Sequence, residues 1–100
     1  MKQKLVRDKI PQIIFKSTKR KPLTKVLSEK EYKIELNKKL KEELDEYLKS
    51  GKIEELADIY EVILAIIKVN KVSRISFEKI RTKKAKQRGR FNKKILLINN

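Results

Sequence analysis

One hundred residues suffice for one small domain, 1–100, and with 39% hydrophobic and 41% charged residues the chain can bury only a modest core. Cysteine and histidine are absent, which excludes thiol nucleophiles, disulfides, Cys/His zinc sites, haem, iron–sulfur clusters and Ser-His-Asp machinery; a metal would be held by oxygen, favouring Mg²⁺, Mn²⁺ or Ca²⁺. The formal charge of +15 is unevenly distributed: residues 31–61 hold 10 of the 13 acids and 6 bases, whereas the remainder holds 3 acids and 22 bases.

In chain order, residues 1–8 enter as an extended segment. Asp8 suits an N-cap and Pro11 the first turn of a short helix over about 9–16. A polar loop follows at 16–22, then a β-prone piece at Thr24–Leu27. Ser28 and Glu31 have capping-box spacing and open a long helix over about 29–49, with Tyr32, Leu36, Leu40, Leu44, Tyr47 and Leu48 on its apolar stripe. Ser50-Gly51 ends it, Gly51 suiting the left-handed position. A second long helix runs from about Lys52 to Val69 and stops at Asn70-Lys71. Its apolar arc between Ile53 and Ile67 is wider than one neighbouring helix covers, so burial against a second subunit is expected. Ser76 caps a helix over about 77–88, which Gly89 stops, and the tail Phe91–Ile98 reads as a short strand. The predicted class is mainly α: an antiparallel helix hairpin core that forms a bundle on oligomerisation, with minor short β-strands. No apolar run approaches the roughly 18 residues of a membrane span and no signal-peptide pattern is present, so a cytoplasmic chain without membrane contact is expected.

The acidic residues follow the helical period. Glu43 and Glu46 are i, i+3 neighbours on the first long helix, as are Glu55 and Asp58 on the second. Glu43 projects inside the apolar stripe and Glu55 inside the apolar arc; Glu46 and Asp58 border them. With a tight turn between the helices, antiparallel pairing sets Glu46 level with Glu55 and Glu43 level with Asp58. Charges on buried faces need partners. An ordinary charged hairpin would account for any one of these residues, but four converging carboxylates point to one or two divalent cations, with Mg²⁺ expected and Mn²⁺ the alternative. A Ca²⁺ loop is not expected, because no D-x-D-x-D-G pattern occurs. Lys39 lies one turn before Glu43, Arg81, Lys84 and Arg88 share the face of Phe77, and Arg7 and Lys9 bracket the N-terminal turn. Cations beside an acidic metal site suit a polyphosphate ligand. Neither glycine-rich phosphate motif is present.

The order Glu42-Glu43-x-x-Glu46, then Glu55-x-x-Asp58, resembles the EExxE and ExxD elements of the MazG-like all-α nucleoside triphosphate pyrophosphohydrolases. KLVRDKIPQII at 4–14, VLSEKEY at 26–32, KLKEELDE at 39–46, EELADIYEVILAI at 54–66 and KAKQRGRF at 84–91 look like its phosphoribosyl-ATP pyrophosphohydrolase-like branch. The resemblance implies Mg²⁺-dependent cleavage between the α and β phosphates, giving a nucleoside monophosphate and pyrophosphate, with a house-cleaning role in nucleotide pools. It implies Glu43, Glu46, Glu55 and Asp58 as metal ligands and Glu42 as the group that orients or deprotonates the attacking water. It matches Lys39, Lys84, Arg88 and Phe91 to recurring elements that contact phosphate or base, and it implies a homodimer or homotetramer. The ending Arg88-Gly89-Arg90-Phe91 departs from the family's usual RGGF and bears on substrate preference or tail geometry.

Three other readings stand beside this one. Phosphoribosyl-ATP hydrolysis in histidine biosynthesis would use the same chemistry on a different substrate. A basic helical nucleic-acid-binding protein would use the charged flanks, although helix-turn-helix and RNP signatures are missing. An inactive hairpin would serve only as an assembly module.

Overall fold

The computed structural model describes residues 3–99 and contains four helices there: α1 (Ile10–Thr18), α2 (Glu29–Ser50), α3 (Ile53–Val69) and α4 (Arg74–Arg88). The chain is thus mainly α. The strands expected at 24–27 and 91–98 are corrected, since no strand occurs among the described residues. Val26 and Ile95 to Ile98 are instead exposed on irregular chain. A strand requires a neighbour for its N–H and C=O groups, and neither segment meets one among the described residues. The extended entry expected over 1–8 has no regular structure from Gln3 to Arg7, and its first two residues lie outside the described residues.

Local chemistry explains most helix ends. Ser28 and Glu31 form the expected capping box: the Glu31 N–H donates to Ser28 Oγ at 3.2 Å, and the Ser28 N–H donates to Glu31 Oε1 at 3.1 Å. Gly51 closes α2 with φ +66°, its N–H donating to the Tyr47 carbonyl at 2.7 Å. A Cβ at Gly51 would meet open space. Gly51→Ala is therefore expected to lose about 1 kcal/mol through backbone strain alone, read as a lower urea midpoint with an unchanged slope. At the end of α3, Lys71 takes the left-handed conformation at φ +60°. The Val72 N–H then reaches back to the Ile67 carbonyl at 3.3 Å.

Two caps differ from expectation. Asp8 is not the cap of α1; Lys9 holds that position without a side-chain cap bond, and the helix begins at Ile10 with Pro11 in its first turn. Ser76 is not the cap of α4. Ser73 takes that place, and its Oγ accepts the Ser76 N–H at 3.0 Å, so α4 starts one turn earlier. Two serines three residues apart offer the same cap chemistry, and the earlier one leaves more helical hydrogen bonds.

After the turn at Gly51-Lys52, α3 returns antiparallel along α2, and this pair forms the main packing contact. α4 leans on α3 more lightly, and Phe77 and Ala85 are its half-buried residues. α1 packs against none of the other helices among the described residues. The apolar side chains that become buried are Leu36, Val62 and Ile67. α2 and α4 together do not cover the arc of α3, where Ile53 remains 71% and Tyr60 57% exposed. No helix among the described residues is long and apolar enough to cross a membrane.

Candidate metal centre

Glu43 faces α3 from the middle of the apolar stripe of α2, and only 8% of its surface is exposed. Opposite it, Glu55 and Asp58 stand one turn apart in the first half of α3. One carboxylate oxygen from each of Glu43, Glu55 and Asp58 lies within 4.8 Å of the other two. Residues either side of a tight turn meet at matched distances from it, which explains why positions 43 and 58 oppose each other. Glu46 is exposed beside Glu43 on α2 and lies outside this group of three.

The charges are only partly balanced. Lys39, one turn before Glu43, places its ammonium 3.3 Å from Glu43 Oε1 and 3.4 Å from Glu42 Oε1. Glu43 Oε2 is buried and has no hydrogen-bond partner among the described residues. Burial pushes the Glu43 carboxyl above the usual carboxylate range; the Lys39 ammonium pulls it down, and neighbouring Glu46 pushes it further up. On the other side, Arg7 reaches across 51 positions of sequence, its Nη2 donating to Asp58 Oδ1 at 2.7 Å.

Three carboxylates with an oxygen each within 4.8 Å of one another, one of them buried with an unpartnered oxygen, are a donor set suited to a hard divalent cation. Mg²⁺ commonly takes one or two carboxylates and fills its remaining positions with water and phosphate oxygens. The oxygen donors present fit a hard divalent cation in kind and do not select one such ion over another.

Of the residues proposed to meet substrate, Lys39 and Arg7 lie at this acidic group, each paired with one of its carboxylates. Lys9 is exposed at the start of α1. Lys84 and Arg88 are exposed on α4, which packs against α3 but not against α2. Arg81 is held by Glu78 on the same helix at 2.6 Å. Phe91 is 97% exposed. The Arg7–Asp58 pair escaped sequence reasoning, because no local spacing links positions 51 apart. The Lys39 contacts obey i, i+3 and i, i+4 spacing and were within its reach.

The Arg7 and Asp58 side chains remain 56% and 39% exposed, so their ion pair adds little to stability. Arg7→Gln is expected to shift unfolding by less than about 1 kcal/mol. The same change removes the cation competing for Asp58, so calorimetric titration with Mg²⁺ should show tighter binding by a few-fold.

Comparison with protein-family models, curated proteins and solved structures finds no match.

Proposed function

We propose that the chain is a Mg²⁺-dependent nucleoside triphosphate pyrophosphohydrolase of MazG-like type, cleaving between the α and β phosphates to release a nucleoside monophosphate and pyrophosphate. The observation that carries this reading is the convergence of the Glu43, Glu55 and Asp58 carboxylates, with Glu43 buried and one of its oxygens lacking a hydrogen-bond partner among the described residues. The ordered EExxE and ExxD elements support it from the sequence side. Glu43, Glu55 and Asp58 would hold the cation, with Glu46 beside them. When bound, Mg²⁺ would offset triphosphate charge and lower the pKa of a coordinated water.

The remaining roles belong to the chain's own side chains. Glu42, on the neighbouring position of α2, would orient the attacking water or take its proton, with Lys39 fixing the carboxylate. Arg7 would exchange Asp58 for a phosphate oxygen, as a guanidinium can bind either. Lys9, Lys84 and Arg88 would screen the charge of the leaving pyrophosphate. Mn²⁺ would substitute for Mg²⁺ in the same oxygen donor set. Self-association into a homodimer or homotetramer would bury the apolar arc that α2 and α4 leave uncovered on α3.

The decisive experiment is a panel of ribo- and deoxynucleoside triphosphates plus phosphoribosyl-ATP, incubated with Mg²⁺ and scored for monophosphate product and pyrophosphate. Release from one or more triphosphates is expected. Release from phosphoribosyl-ATP alone would move the reading to histidine biosynthesis, and no release from any compound would overturn it. A nucleic-acid-binding role is favoured by one feature: from Lys79 to Ile98 the sequence carries nine bases and no acid. Tight, salt-sensitive DNA or RNA binding without hydrolysis would establish that role instead.

A further inference from the structure

Cations and exposed apolar side chains come together over residues 79–98. That stretch holds nine bases and no acid. A lysine-rich composition alone does not produce this, because α2 balances its charges: Lys38, Lys39 and Lys41 each pair with an acid on their own helix. On α4, Lys79, Lys83 and Lys86 lie about 200°, 240° and 180° around from half-buried Phe77, on the outward side. None of the three joins an ion pair among the described residues. The chain that follows α4 is irregular and rich in apolar side chains. Phe91 is 97% exposed, and Ile95, Leu96, Leu97 and Ile98 are 80%, 82%, 73% and 90% exposed in succession. Four adjacent apolar residues in water, with Arg90, Lys93 and Lys94 just before them, mark a contact site.

The matching partner is negative and aliphatic on one surface. The α2–α3 hairpin of a second copy, which carries most of the acids, does not combine the two. Glu42 and Leu44, Glu46 and Leu48, and Glu54 and Leu56 each stand two positions apart, which puts acid and exposed leucine about 160° from each other around their helix. A nucleic acid supplies phosphate but no aliphatic surface for four Ile and Leu side chains. An anionic lipid surface supplies both, charge at its headgroups and hydrocarbon directly beneath them.

We propose that residues 90–98 form an interfacial arm for an anionic lipid surface. Phe91 and Ile95 to Ile98 enter the boundary between headgroups and acyl chains, while Arg90, Lys93 and Lys94 stay at the headgroups. The outward lysines of α4 add attraction wherever they come within a Debye length of the surface. Charge and apolar contact act together, since stable anchoring at a membrane surface takes two signals rather than one. The expectation of no membrane contact rested on the lack of a spanning run in the sequence; an arm lying in the interface requires none. The arm is separate from the chemistry at Glu43.

The chain contains no tryptophan, so Leu97→Trp reports on the arm without background. With vesicles of phosphatidylcholine and phosphatidylserine, this variant should bind and shift its emission to the blue; with phosphatidylcholine alone it should do neither. Absence of binding, binding without a blue shift, or equal binding to both vesicles overturns the proposal. In co-sedimentation with the anionic vesicles, Leu96→Ser/Leu97→Ser should weaken binding roughly tenfold or more. Lys93→Gln/Lys94→Gln should weaken it by a similar factor. Both should keep the helical circular dichroism of the parent, and parental affinity in either one overturns the proposal. If Leu96→Ser/Leu97→Ser loses only self-association by sedimentation equilibrium, a second copy is the partner. If Lys93→Gln/Lys94→Gln loses only oligonucleotide binding, a nucleic acid is the partner. Either result overturns the lipid assignment. Nucleotide hydrolysis scored in parallel should proceed at the parental rate in Leu96→Ser/Leu97→Ser, so failure of the arm and failure of the proposed activity are read separately.

Discussion

Glu43→Gln is expected to separate stability from metal binding more sharply than any other single change. Gln keeps the shape and removes a negative charge that is buried with one oxygen unpartnered. Without Mg²⁺, the gain from relieving that charge opposes the loss of the Lys39 contact, and the variant should match the wild type within about 1 kcal/mol. On the proposed function, Mg²⁺ affinity should fall roughly 100-fold or more, and hydrolysis with it, because one of the three carboxylate donors is gone. Calorimetric titration and melting with and without Mg²⁺ check both halves; unchanged affinity would remove Glu43 from the centre.

The pH dependence has a definite sign. Glu43 titrates higher in the folded protein than in the unfolded chain, so between those two values the folded state binds the extra proton. Stability of the Mg²⁺-free protein therefore declines as pH rises through that interval. Acidification from neutrality into the interval should raise the melting temperature of the wild type and leave this component absent in Glu43→Gln. Glu31, held low by its Ser28 backbone hydrogen bond and by Lys25, behaves oppositely, as does Glu78, held low by Arg81. Their contributions are present above the usual carboxylate range and vanish as pH falls through their depressed folded values, a more acidic window shared by both proteins.

Leu36→Ala should give the largest loss of stability. Leu36 is 2% exposed, the most buried side chain of a core that also includes Val62 and Ile67. Truncation should remove about 2–4 kcal/mol, a large share of the 5–15 kcal/mol that holds an ordinary domain together. Leu23, fully exposed, provides the contrast: Leu23→Ala should stay within about 0.5 kcal/mol. Urea unfolding of both variants measures the difference, and equal midpoints would show that Leu36 is not where the fold is held.

What sequence reasoning reached was local or repeated locally. The Ser28–Glu31 box, the Gly51 stop and the Asn70-Lys71 end each depend on a few adjacent residues, and all occur at the expected positions. The opposition of Glu43 and Asp58 was legible because a short turn makes register a matter of counting outward from it. Strands at 24–27 and 91–98 were not decidable this way, since apolar content does not supply a hydrogen-bonding neighbour. The choice between Ser73 and Ser76 turned on two equivalent caps, and Lys9 rather than Asp8 begins α1. Arg7 was noted as a cation near an acidic site, but its attachment to Asp58 is set by where the irregular N-terminal segment runs, for which no periodicity gives notice.

That attachment makes the N-terminal segment answerable to the acidic group. α1 packs on no other helix among the described residues, and Arg7 spans from its leading edge to a carboxylate on α3. An ion or phosphate that claimed either end of this pair would release a contact worth less than about 1 kcal/mol, a small change for the fold but one confined to the segment leading into the first helix. If the site is occupied as proposed, a modest change in the rate of proteolysis near Lys16 is the expected sign of that release.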